Sequence, residues 1–292
     1  MIITEELARK VREIEIVARR MANDAMAGEY HSVFKGRGME FSEVRPYTHG
    51  DDARSIDWNV TARSGYPHIK RFVEERELTV ILAVDASGSL EFGTRKEMKG
   101  ELAAEVCALL AFAAIRNNDR VGLAIFSEDV ELYVPPRKGR RHVLRIIREL
   151  LYFRPAKRGT NIKGALEYMR RILTRRAVVF LVSDFLEDNL EQPLSAFARR
   201  HDLVTIGARD RREETLPNVG LIELEDAETG QRMIVDTSSR AVRREFERQA
   251  VERREALSKT MSKLDLDFVQ LETGEDYLPP LIKLFRLRAR RT

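Results

Sequence analysis

The chain has 292 residues, 34% charged and 43% hydrophobic, a balance that excludes collagen-like, low-complexity and largely disordered chains. Its 51 Lys and Arg nearly cancel 47 Asp and Glu, so the net charge of +4 excludes a uniformly basic surface as well. Excess charge is local: nine basic residues against Glu149 alone lie between Arg137 and Arg158, and five with no acid lie between Lys283 and Arg291. The longest uncharged apolar stretches, such as Val106 to Ile115, fall short of the ~20 residues that cross a bilayer. The start, MIITEELARK, has no apolar signal-peptide core, so a cytoplasmic location with no membrane contact is expected. Cys107, the single cysteine, has no second thiol for a disulfide or zinc knuckle and reads as packing.

In chain order, Leu7, Val11, Ile14, Ala18 and Met21 recur at helical spacing over residues 4 to 26, with Thr4 as N-cap and Glu5 and Glu6 in the first turn. From Gly28 to about Arg76 periodicity is poor and Gly28, Gly36, Gly38, Gly50, Gly65, Pro46 and Pro67 interrupt the chain, which predicts an irregular, partly extended segment packed on something else. Within it Trp58 reads as the side chain that pins the segment down. Glu43, Arg45, Asp51, Asp52, Arg54 and Asp57 read as an internal salt-bridge and hydrogen-bond network.

At Leu78 the rhythm changes. LTVILAVD is an apolar run of the kind found in a strand buried on both faces, and Leu102, Val106, Leu109 and Ala113 then mark a helical stripe. Strand VGLAIF, strand ELYVP, helices Arg140 to Leu151 and Ile162 to Leu173, strand AVVFLVSD, helix Leu190 to Arg200 and strand LVTIGA follow. This alternation predicts an α/β fold with a doubly wound, mainly parallel sheet flanked by helices. LIELED and QRMIVD predict a hairpin insertion near 219–236, followed by a polar helix over Ser239 to Leu264, a last strand DFVQLET and a terminal helix. The organisation expected is residues 1–76 as N-terminal helix and Gly-rich segment, and 77–292 as the sheet domain.

The first buried strand ends in Asp85-Ala86-Ser87-Gly88-Ser89, a D-x-S-x-S loop at a strand carboxyl end, where doubly wound sheets bind ligands. Gly88 eases a sharp turn that would let Asp85, Ser87 and Ser89 face one point. Thr160, in Gly159-Thr160-Asn161, opens a helix, and Asp184, in Ser183-Asp184-Phe185, ends another apolar strand. Together Asp85, Ser87, Ser89, Thr160 and Asp184 form an all-oxygen set suited to a hard divalent cation.

This pattern resembles the metal-ion-dependent adhesion site of von Willebrand factor A-like domains, with all five positions matched. The segment GRGMEFSEVRPYTHGDDARSIDWNVTAR resembles the signature of one bacterial branch, the domain of unknown function 58 family. The resemblance covers nearly the whole chain. It implies magnesium, with manganese or calcium as related hard cations, held directly or through water by Ser87, Ser89 and Thr160, with Asp85 and Asp184 acting largely through water and the serines. It also implies a coordination position for a partner's acidic side chain. The expected role is non-enzymatic, divalent-metal-dependent protein binding alongside a MoxR-type AAA+ ATPase in chaperone-like assembly or maturation.

Two other classes are weighed against this. A strand ending in Asp also resembles haloacid dehalogenase-type phosphatases, but the acid they require two positions on is Ser87 here, and there is no G-x-x-x-x-G-K-[ST] loop. Nucleic-acid binding by the basic helix around Arg140 is the second reading. His31, His49, His68, His142 and His201 show no metal-ligand spacing.

Overall fold

The computed structural model describes residues 5–24, 30, 40–73, 77–91 and 98–291. Contacts divide the chain into two compact units, 1–33 with 79–292 and 34–78. Thr4, Gly28, His31, Gly36 and Gly38 lie outside the described residues, as does the side chain of Leu7.

In the smaller unit β1 (Glu40–Pro46) and β2 (His68–Val73) pair antiparallel, and the connection carries a 3-10 turn at Ala53–Ser55 and the short helix α1s, Trp58–Ser64. The partly extended segment read from sequence thus contains a two-stranded sheet that was not assigned. Its register is fixed by pairing between residues far apart in sequence, which no local period reveals. Part of the expected polar network is present. Arg45 grips Asp51 with two bonds of 2.9 and 2.7 Å, while Thr48 donates its backbone N–H and hydroxyl to the same carboxylate. These bonds hold the Asp51 carboxyl well below the usual range. Asp52 and Asp57 cap the two helical turns that follow them, and the side chain of Glu43 lies outside the described residues. Trp58 is a correction. It is 70% exposed, because it stands on the first turn of a short helix with no buried residue.

The larger unit begins with α1 (Glu5–Asp24) and continues through β3 (Thr79–Asp85), α2 (Lys99–Arg116), β4 (Arg120–Phe126), β5 (Val130–Arg137), α3 (Arg140–Tyr152) and α4 (Ile162–Ile172). Then come β6 (Val178–Ser183), α5 (Glu191–Ala198), β7 (Asp202–Arg209), β8 (Leu221–Glu225), β9 (Arg232–Asp236), α6 (Arg240–Lys263), β10 (Asp267–Glu272) and α7 (Leu278–Ala289). Six strands form one sheet in the order β10-β7-β6-β3-β4-β5, every neighbouring pair parallel except β4 with β5. This is the doubly wound α/β sheet expected. The chain steps outward from β3 to β4 and β5, then returns to lay β6 on the other side of β3. The crevice beyond the carboxyl ends of β3 and β6 is thus the point where strand order reverses.

Helices cover both faces, so β3 and β6 are apolar on both sides and buried throughout apart from Thr79. Helix α2 is buried on almost every side from Leu102 to Ala114. A helix apolar all round needs cover all round. The sheet supplies one side, and α1 and α3 lie on the others. Ile14, Ala18 and Ala22 are the buried residues of the α1 stripe, and Arg116 of α2 donates to the carbonyls of Ala22 and Asn23, satisfying the end of α1. Strands β8 and β9 pair only with each other, as the predicted hairpin.

Candidate functional site

The site grows from the end of β3. The backbone N–H of Ala86 donates to Phe126 O of β4, and the chain then turns so that Ser87 N–H donates to Asp85 Oδ1 at 2.9 Å. That turn carries the Ser87 and Ser89 hydroxyls to 2.9 Å from each other, both buried. The other Asp85 oxygen accepts from Ser183 Oγ of β6 at 2.7 Å, and Ser183 Oγ accepts from Phe185 N–H. Strands β3 and β6 are thus tied together at their carboxyl ends by side chains. Phe185 turns the chain in the left-handed region, at φ 55. Its ring, buried edge-on against Phe268, anchors this conformation, which few non-glycine residues adopt.

Asp184 sits on that turn, with its Oδ2 2.9 Å from Lys99 Nζ at the start of α2. Lys99 is fully buried and also donates at 2.5 Å to Glu213, on the 3-10 turn after β7. Burial works against its charge, but the two carboxylates outweigh it and hold the ammonium above the ordinary lysine range. Among the described residues Asp85 has no such cation. Burial first, and the charge of Asp184 second, push its carboxyl up to about 7 against the hydrogen bonds from Ser183 and Ser87.

Thr160 lies on the neighbouring loop. Gly88 N–H donates to Arg158 O at 2.9 Å, and Asn161 N–H donates to Ser127 O beyond β4. Asn161 then caps α4 through Gly164 N–H. The Thr160 hydroxyl donates to Glu228 Oε1 at 2.6 Å. The structure therefore gathers Asp85, Ser87 and Ser89 by direct bonds, places Asp184 beside Asp85, and holds the Thr160 loop on the Gly88 backbone. Lys99, Ser183, Glu213 and Glu228 were not singled out from sequence. Ser183 adjoins Asp184 and could have been found from that adjacency. The other three are brought in by tertiary folding from positions with no motif.

The donor set matches the needs of the hard cation that the resemblance implies. Two hydroxyl oxygens sharing one magnesium in adjacent octahedral positions at ~2.1 Å stand ~3.0 Å apart, and Ser87 and Ser89 meet that spacing. Two carboxylates, Asp184 and Glu213, face the one ammonium of Lys99, so negative charge is in excess, and a dication would offset it. These residues fit a hard cation held largely by hydroxyls. Among the described residues no group of three His, Cys, Asp or Glu forms a metal cluster, so a site built from those ligands alone is not what is present.

Elsewhere, Arg140 on the basic helix pairs with Glu15 of α1 at 2.5 Å, so part of that charge serves helix packing. Cys107 is buried, and burial pushes its thiol up to about 12. His68 lies on β2, His142 on α3 and His201 in the turn before β7. No helix among the described residues is long and apolar enough to cross a membrane.

The chain matches the family described as Protein of unknown function DUF58 over residues 43–256, and it belongs to that family. The match includes much of the segment that carried the resemblance. The sheet order and its antiparallel edge strand agree with the von Willebrand factor A-like fold expected from sequence. The chain is 32% identical over 290 residues to an uncharacterised protein of Mycobacterium tuberculosis, covering 98% of this chain and 90% of that one. An aerotolerance-related membrane protein from Bacteroides fragilis shares the fold at a TM-score of 0.51 and 16% identity, over 74% of this chain and 100% of that one. BatB from Bacteroides thetaiotaomicron superposes at 0.46 with 15% identity, over 73% of this chain and 99% of that one.

Proposed function

We propose that this protein is a divalent-metal-dependent protein-binding module and not an enzyme. The observation that carries this reading is the meeting of Asp85, Ser87 and Ser89, buried at the strand-order reversal, with Asp184 beside them. Magnesium at this site would supply a fixed positive charge with exchangeable positions for a carboxylate. The chain's own residues do the rest. Ser87 and Ser89 offer neutral oxygens. Asp85 is held by Ser183 and Ser87 N–H, and Lys99 keeps Asp184 in place. Because the serines and Thr160 carry no charge, a cation held there keeps much of its charge for an acidic side chain from outside.

The partner in this proposal is a MoxR-type AAA+ ATPase, or a client protein, supplying that Glu or Asp in chaperone-like assembly. Family resemblance supports that choice. The test is calorimetric titration with magnesium and manganese, followed by capture of the ATPase in magnesium and in chelator. Binding of metal should raise the melting temperature, with ~2.7 kcal/mol of stabilisation at ~100 times Kd. Asp85→Ala, or Ser87→Ala with Ser89→Ala, should abolish metal-dependent capture while circular dichroism stays native. Absence of divalent-ion binding up to millimolar concentration would sink the reading, and equal capture in chelator would remove the metal from the interface.

A further inference from the structure

The hairpin β8–β9 brings an acidic side chain to the site from within the same chain. Its tip is built as a rigid turn: Asp226 Oδ1 accepts from the backbone N–H groups of Glu228 and Thr229 at 3.1 and 2.7 Å and from the Thr229 hydroxyl at 2.8 Å. Gly230 N–H closes the turn on Asp226 O, with Gly230 at a φ of 69. Ala227 and Glu228 are half-buried while Glu225, Asp226, Thr229 and Gly230 around them are exposed, so the tip faces inward at those two residues alone. A Cβ on Gly88 would stand 2.3 Å from Ala227 O, so the hairpin seats directly on the D-x-S-x-S loop, and only glycine leaves room for it.

We infer that Glu228 is the site's own acidic ligand, a carboxylate held where a partner's carboxylate would otherwise bind. Resting on the metal reading above, the inference names how that site is regulated. The Oε1 of Glu228 lies 2.6 Å from Thr160 Oγ1, close to the ~3.0 Å edge between adjacent oxygens on one magnesium. The carboxylate of Glu228 is thus held directly against one of the hydroxyls proposed to hold the ion. Glu228 is tethered, so it competes at an effective concentration of order millimolar against any external acid. A partner must therefore lift the hairpin or outbid it.

The hairpin is fit to be lifted. Its strands pair only with each other, and Leu221, Met233 and Ile234 are 72, 62 and 76% exposed. One arm enters through Gly220, at a φ of 87, and the base is closed by Thr237, whose N–H and hydroxyl both donate to Gly220 O.

The test compares the whole protein with Glu228→Ala, using manganese alone as probe and acetate as the competing acid. Removing an inner ligand should weaken manganese binding about 3- to 10-fold and add one exchangeable water to the bound ion, read as higher water-proton relaxivity. Acetate should suppress the added relaxivity in the variant and leave the wild type unchanged. Equal manganese affinity and equal relaxivity in the two proteins would overturn the role of Glu228 while leaving the metal site intact. Absence of manganese binding to either protein would overturn both.

Discussion

Lys99 is the residue on which the electrostatics of the site turn. Its ammonium, buried between Asp184 and Glu213, is a permanent charge that offsets one of these two carboxylates with or without a divalent ion. Lys99→Met should therefore cost about 3–5 kcal/mol in denaturant unfolding at neutral pH, because it strands two carboxylates beside Asp85. Unchanged stability would show that these acids are well solvated. His201 offers a different test. It is buried with its ring against Phe197 at 4.7 Å, and neither ring nitrogen meets a protein partner. Burial first, then Arg200, Arg170 and Arg176, lower its pKa, so the folded protein resists a proton that the unfolded chain accepts near pH ~6.5. Its contribution to stability is present above that pH and is lost as pH falls through it. His201→Phe should flatten that part of the stability profile and be neutral or stabilising above pH 7, since both unsatisfied nitrogens disappear. An unchanged slope between pH 5 and 7 would assign the effect to other groups, His142 first, whose pKa burial also lowers.

Among the elements, the contact of the D-x-S-x-S loop with the hairpin tip is the tightest. Gly88→Ala places a methyl against the backbone of Ala227, which cannot swing aside as a side chain would. The expected cost is ~1–3 kcal/mol, relieved by unseating the hairpin, and tryptic cleavage at Arg232 should accelerate. Unaltered cleavage would mean that the loop yields in place of the hairpin. The elements that were readable from sequence are those whose burial writes a period into the chain: the apolar runs of β3 and β6, the stripe of α2, and the turn residues between β8 and β9. The sheet made by β1 and β2 left no such trace, because its pairing is non-local and charged residues interrupt both strands. Of the site, the three loops were legible from Asp85, Thr160 and Asp184 since each follows a strand end or opens a helix. Lys99 was not, because a lysine in the first turn of a helix is ordinary and only the packing of α2 against the β6 turn makes it an ion-pair partner.

For the molecule as a whole, the helix read as a simple amphipathic start has a larger duty, because it covers α2, the most deeply buried helix of the sheet unit. Ile14→Asp should put a charge into that contact and cost several kcal/mol, measured by denaturant unfolding, whereas an exposed neighbour such as Ile16→Asp should change little. Equal effects of the two would mean that α1 is only loosely applied. The arrangement also has a consequence for synthesis. Helix α1 leaves the ribosome before α2, and the surface it covers is complete only when Arg116 has been made, 92 residues after Asp24. At ~5–20 residues per second the apolar stripe waits roughly 5 to 20 s without its partner. Substitutions on that stripe therefore act on the yield of folded chains during translation as well as on the finished protein, and a chaperone that shields a short apolar helix would matter most in that interval.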